Sequence, residues 1–142
     1  MPEPAGLLLA AVVALALLVA AVVVLLRRRT PALDLRKLDA AEALRYLEAF
    51  TTAERDFESR PQVATAQARG IVEEVMRRMG FPDRLDAAQK AIDLAAHDRA
   101  AAAALASADG ALREGDGRES LRRALMGYRE VLNRMLQESV ST

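Results

Sequence analysis

The chain contains no cysteine, no tryptophan and a single histidine, His97, among its 142 residues. Without thiols it forms no disulfide and no thiolate-held metal centre, and one imidazole is too few for the usual nitrogen-ligand sets. A net charge is missing as well, since 20 basic side chains balance 20 acidic ones. Setting aside Glu3 and the arginines at 27 to 29 leaves 17 basic and 19 acidic groups, a balance that argues against nucleic-acid binding, which normally needs a basic domain. Glycine-rich phosphate loops, nucleophile elbows and zinc-protease helices are absent, so no catalytic site and no cofactor is assigned. No stretch alternates polar and apolar residues with period two, which excludes a half-buried sheet and leaves an all-α chain.

What is present starts at the N-terminus. From Ala5 to Leu26 no side chain is charged or strongly polar, and the run ends on Arg27, Arg28 and Arg29. Twenty-two helical residues rise about 33 Å, against a hydrocarbon thickness of about 30 Å. The run is therefore read as an uncleaved transmembrane helix. A cleaved signal peptide needs a positive n-region, a shorter apolar core and a small-residue exit into polar sequence, and none of these is found here. A buried core helix rarely stays wholly apolar for so long. Arginine and lysine are retained on the cytoplasmic side, and the basic residues all follow the span. The expected placement is the plasma membrane, N-terminus out and C-terminal domain in the cytosol, with Arg27, Arg28 and Arg29 determining topology. Ala10 with Ala14, and Ala16 with Ala20, are small pairs that let two such helices approach in lipid, so a homo-oligomer is one expectation.

About 115 residues follow, enough for one domain. The organisation is read as an anchor over 1–29, a juxtamembrane linker over 30–37 broken by Pro31, and a bundle of four to five helices over 38–142. Leu35, Leu38, Leu44, Leu47, Phe50 and Phe57 recur at helical spacing, in a helix starting near Asp34 or Asp39 and ending before Pro61. Ala64, Ala68, Ile71, Val72, Val75 and Met79 form the next stripe, closed by Gly80 and Pro82. Asp83 is a candidate cap for a helix whose Leu85, Ala88, Ile92 and Ala95 face one way. Residues 83–109 fit one long helix or two with a break at Asp98. Gly110, Gly115, Asp116 and Gly117 then read as a loop. In the last helix Leu121, Leu125, Tyr128, Leu132 and Met135 step by four and three, the seam of a helix packed within a bundle rather than a free coiled coil.

Two leads for function stand out. Arg118, Arg122 and Arg129 give the last helix an electropositive flank, suited to a partner or to anionic headgroups beside the anchor. The alternative is a solvated face with local pairs such as Glu119 with Arg123. His97 and Asp93, four apart, share a face on a continuous helix and mark the centre of a ligand-binding or enzymatic alternative. Glu73 and Glu74 are adjacent and point about 100° apart, poor geometry for a shared-proton pair.

Three motifs carry a resemblance. Phe57, Glu58, Ser59, Arg60 and Pro61 form an acidic-Pro turn; Glu74 to Pro82 reads Glu-Val-Met-Arg-Arg-Met-Gly-Phe-Pro; Glu119 to Arg129 reads Glu-Ser-Leu-Arg-Arg-Ala-Leu-Met-Gly-Tyr-Arg. Together they resemble an uncharacterised, mainly actinobacterial family of small helical proteins, membrane-anchored or secreted, over roughly residues 44 to 136. Met79 stands where that family has arginine and Phe81 where it has tyrosine. A central Asp-Leu-Ser-x-Asp-His-Pro segment survives only as Asp93, Leu94 and His97. The resemblance implies a helical fold and a membrane anchor, and it carries no activity. The function expected from all this is a single-pass anchored bundle that binds or scaffolds a protein partner, with no catalysis of its own.

Overall fold

Residues 4–28 and 34–140 are described in the computed structural model, and among them there are six helices and no strand. The chain falls into two units, one ending at Leu33 and one starting at Asp34. The first consists of α1, Pro4–Arg28. Proline suits its first position, where the missing N–H would have no intrahelical partner. Over its most apolar eighteen residues the mean hydropathy is 3.3 and none of them is buried, so the helix is long and apolar enough for a membrane span or a signal sequence. Arg29, with Thr30, Pro31 and Ala32, lies outside the described residues, as do the side chains of Arg27 and Arg28.

The second unit contains α2 (Ala40–Asp56), α3 (Pro61–Met79), α4 (Ala87–His97), α5 (Arg99–Glu114) and α6 (Arg118–Val140). Of the two candidate starts for α2, the structure uses Asp39, whose carboxylate accepts the Glu42 N–H at 2.8 Å. That satisfies one of the donors every helix N-terminus leaves open. Leu38, Phe50 and Phe57 are buried, whereas Leu44 is 51% exposed, so the α2 stripe is broader than the face it buries. Residues 34–37, within the stretch assigned to the linker, are held against the bundle. The Arg36 N–H donates to the Met79 carbonyl at 2.8 Å.

This strap explains Gly80. The residue has φ 102°, the left-handed geometry that ends α3, and a Cβ there would lie 2.9 Å from the Asp34 carbonyl oxygen. Phe81, buried behind the cap, donates its N–H to the Met76 carbonyl at 3.0 Å, closing the turn. Within α3, Ala64, Ala68, Val72, Val75 and Met79 are buried as their spacing predicts.

Residues 83–109 form two helices. Asp98 takes an extended conformation, φ −149° and ψ 109°, and its carboxylate accepts the N–H groups of Ala100 and Ala101 at 2.9 and 3.1 Å. Arg134 on α6 donates to the same carboxylate at 3.0 Å, so a tertiary contact holds the break. Three sequence expectations are corrected nearby. Asp86, not Asp83, caps α4, accepting the Ala88 N–H at 3.0 Å. Gly110 lies inside α5, which continues to Glu114. Leu85 and Ile92, expected in the core stripe, are 103% and 61% exposed: Leu85 lies in the bend before α4, and α4 sits on α5 with Leu94 buried and Ile92 turned outward.

α6 is the hub, touching α2, α3 and α5, while α4 touches α5. Leu121, Leu125, Tyr128, Leu132 and Met135 are all buried along it. The α5–α6 seam is the closest. Beside the buried Leu105, Ala101, Ala102, Ala108 and Ala111 present small side chains, and Gly127 faces Ala108 and the Ala104 carbonyl with none. The buried Tyr128 hydroxyl crosses the seam and donates to Asp109 at 2.5 Å. Burial, then the Asp109 carboxylate, push the phenol well above its ordinary range, so it remains a donor at every working pH.

The Asp98 junction has a pH signature. The Ala101 N–H, with help from Arg134 and against some burial, holds its carboxyl below the usual carboxylate range. Its folded value is therefore lower than its unfolded one. The stabilisation is complete above the unfolded value of about 4 and is lost as pH falls through the folded value. Asp98→Asn keeps a cap but removes the charge. Urea midpoints of the variant should fall below wild type at pH 7 and converge with it in strong acid; a constant gap would show that the charge contributes nothing.

Candidate interaction surfaces

The arginine flank is built by α6 crossing the C-terminal half of α2. Arg118 and Arg122 each place a guanidinium carbon 5.6 Å from the centre of the buried Phe57 ring, and Arg129 does so at 5.4 Å over Phe50. Arginine is suited to this role because its flat, weakly hydrated head stacks on an aromatic face while its edge still donates. Those edges meet carboxylates on and just beyond α2: Arg118 to Glu58 at 2.6 Å, Arg122 to Glu58 at 3.8 Å, and Arg129 to Glu54 at 3.1 Å. The closest atoms of the Arg129–Glu54 pair are shut off from water and meet as charges without hydrogen-bond alignment. The three arginines thus cover two buried rings and join α6 to α2. Their spacing gave no warning, because each partner lies 60 to 79 residues away in sequence.

Local pairing also differs from its expected form. Arg123 reaches back to Glu114 at 2.7 Å, not to Glu119, drawing the α5–α6 loop closed. Glu73 pairs with Arg69 at 3.3 Å and with Lys90 of α4 at 3.1 Å, while Glu74 pairs with Arg77 at 2.6 Å. His97 ends α4 with its ring edge-on to Phe81, centroids 5.9 Å apart. Asp93, its candidate companion, is tied to Arg84 at 3.2 Å and accepts from Gln89 at 3.2 Å. Among the described residues no three acidic or histidine side chains group as a metal set.

Several shallow grooves lie on the bundle surface. One of about 410 Å³ runs between α2 and α6, with Leu47, Leu136 and Val140 on its floor and Glu130, Asn133 and Arg134 at its rim. The exposed Leu44 continues its apolar side along α2, where Leu44 and Leu47 line the adjoining hollow. An apolar floor with a rim of both charge signs suits an amphipathic helix better than a small polar substrate. Comparison with protein-family models, with curated proteins and with solved structures found no match.

Proposed function

We propose that this is a single-pass protein of the plasma membrane, N-terminus out, which holds a cytosolic helical bundle at the membrane to bind another protein. The observation that carries the reading is α1, a helix apolar on every side with its most apolar window wholly unburied. Such a surface is unstable in water and stable in hydrocarbon, where its backbone is already satisfied. Arg27, Arg28 and Arg29 behind it support the orientation. The likeness to the actinobacterial family belongs to the same proposal, supported by the roles its motif residues take here: Met76, Phe81, Leu121 and Tyr128 are buried, and Gly80 caps α3. The partner's seat is the α2–α6 groove, taking an amphipathic helix.

The test is affinity isolation of the full chain from detergent-solubilised native membranes, beside a Leu44→Arg variant. Leu44 is half exposed, so the charge reaches the groove edge without entering the core. A polypeptide recovered in fixed ratio with the wild type and lost from the variant is the expected result. Recovery of the chain alone, monomeric by sedimentation, would refute the reading.

A further inference from the structure

From Pro61 to Ala68 α3 carries no charge, and Gln62, Val63, Ala66 and Gln67 are all exposed there. A helix face that water alone covers is normally charged. Gly70 continues this face in the middle of the helix, where glycine costs stability relative to alanine. Gly127 has a reason inside the bundle, since α5 closes onto it, whereas a Cβ at Gly70 would meet nothing within 4 Å. The gap at Gly70 opens on both sides into hollows, one of about 440 Å³ against α2 and one of about 410 Å³ against α5 and α6.

The face is complementary to itself. Val63, an exposed apolar knob, and Gly70, a gap, lie seven residues apart, so two turns bring them almost into line about 10 Å from each other. When α3 is laid antiparallel against a second α3, with the two-fold axis between Ala66 and Gln67, each Val63 comes level with Gly70 of the other copy. Near the axis Ala66 and Gln67 meet their own counterparts. This is the mark of an isologous contact, in which one residue meets a second and the second meets the first. The charges agree with the same register. Arg60, at the N-cap, comes within one residue of level with Glu74 of the other copy, on the side of α3 nearer α2. Their local pairs, Arg60 with Asp56 and Glu74 with Arg77, are exposed and hold them weakly.

We propose that the bundle pairs with a second copy of this chain through the outer face of α3, Val63 of each copy seated over Gly70 of the other. No residue of α3 lines the α2–α6 groove, so each copy keeps its seat for another protein. The proposal stands apart from the readings of that groove and of α1, and its failure leaves both in place.

Because the chain has no cysteine, single thiols can be placed at will. The full chain in mild detergent carries either Gln67→Cys, beside the axis, or Ser107→Cys, exposed on α5, as the reference. Under mild copper–phenanthroline oxidation, covalent pairs should form about tenfold faster at 67 than at 107, since a thiol held beside its counterpart reacts as if within one molecule. Gly70→Gln fills the gap with a better helix former. It should leave the fold intact by circular dichroism yet slow the reaction at 67 about tenfold, the change expected when a packed contact is overfilled. Arg60→Glu should slow it too, and adding Glu74→Arg should restore it. That rescue works only between copies, because within one chain the two positions lie about 21 Å apart along α3. Equal rates at the two thiols, as pairing through α1 alone would give, overturn the proposal. So does a fast reaction at 67 that neither Gly70→Gln nor the charge reversal alters, and so does a wild-type chain that sediments only as a monomer.

Discussion

Gly127→Leu should destabilise the bundle by about 2 kcal/mol, the net of two opposed effects. Leucine is the better helix former, by about 0.8 kcal/mol. Against that, even a Cβ at this position would lie 2.8 Å from the Ala108 Cβ and 3.1 Å from the Ala104 carbonyl oxygen. Neither neighbour can swing aside, since one is a methyl fixed to the backbone and the other is backbone itself. The helices must separate, and overpacking of this kind typically costs about 1–3 kcal/mol or more. Separation also strains the Tyr128–Asp109 hydrogen bond and the Arg134–Asp98 pair, which cross the same seam. The reciprocal swap isolates the cause. Gly127→Ala alone should destabilise, and adding Ala108→Gly should recover most of the loss, since the helix cost of the new glycine is offset by the new alanine and only the 3.1 Å approach to the Ala104 carbonyl is left. Urea unfolding in mild detergent, followed by helical circular dichroism, reads each variant. A double variant no better than Gly127→Ala would show that the seam is not limited by this contact.

Removal of residues 1–33 should move the protein from the carbonate-washed membrane pellet to the supernatant, with cooperative unfolding retained. The bundle closes its core with its own residues: Phe50, Val72, Val75, Leu94, Tyr128 and Leu132 are fully buried within the second unit. In α1, by contrast, every side chain described is exposed. A central charge should act in the same direction as removal. Leu17→Arg adds about 3–4 kcal/mol to insertion, enough to weaken a single span measurably. Wild-type protein found in the supernatant would overturn the membrane reading, and a truncated chain that unfolds without cooperativity would show that the bundle depends on its leader.

Several parts of this architecture were written in local pattern. Asp39, Pro61 and Gly80 act within a turn of where they stand, so the ends of α2 and α3 could be read from single residues. The α6 seam was equally plain, because Leu121 to Met135 keep one spacing for four turns. α4 failed for a definite reason. Periodicity puts Leu85, Ala88, Ile92 and Ala95 on one side only if all four are helical, and it carries no information about which side meets the bundle. Lys90 and Asp93, which look like solvent-facing charges, find Glu73 and Arg84 only after folding. The arginine flank failed in a related way, since the rings and carboxylates that occupy it lie on another helix.

By itself the amino-acid order determined that the chain is helical, where most helices begin and end, and that one run at the N-terminus is too apolar for water. These follow from interactions within a few residues, which composition and spacing record directly. Only the tertiary structure decided that α4 turns Ile92 outward, that Asp98 breaks the alanine-rich segment with help from Arg134, and that Gly127 exists to let α5 approach. Each of those depends on what a distant segment brings to the same place, and spacing along a chain does not encode that.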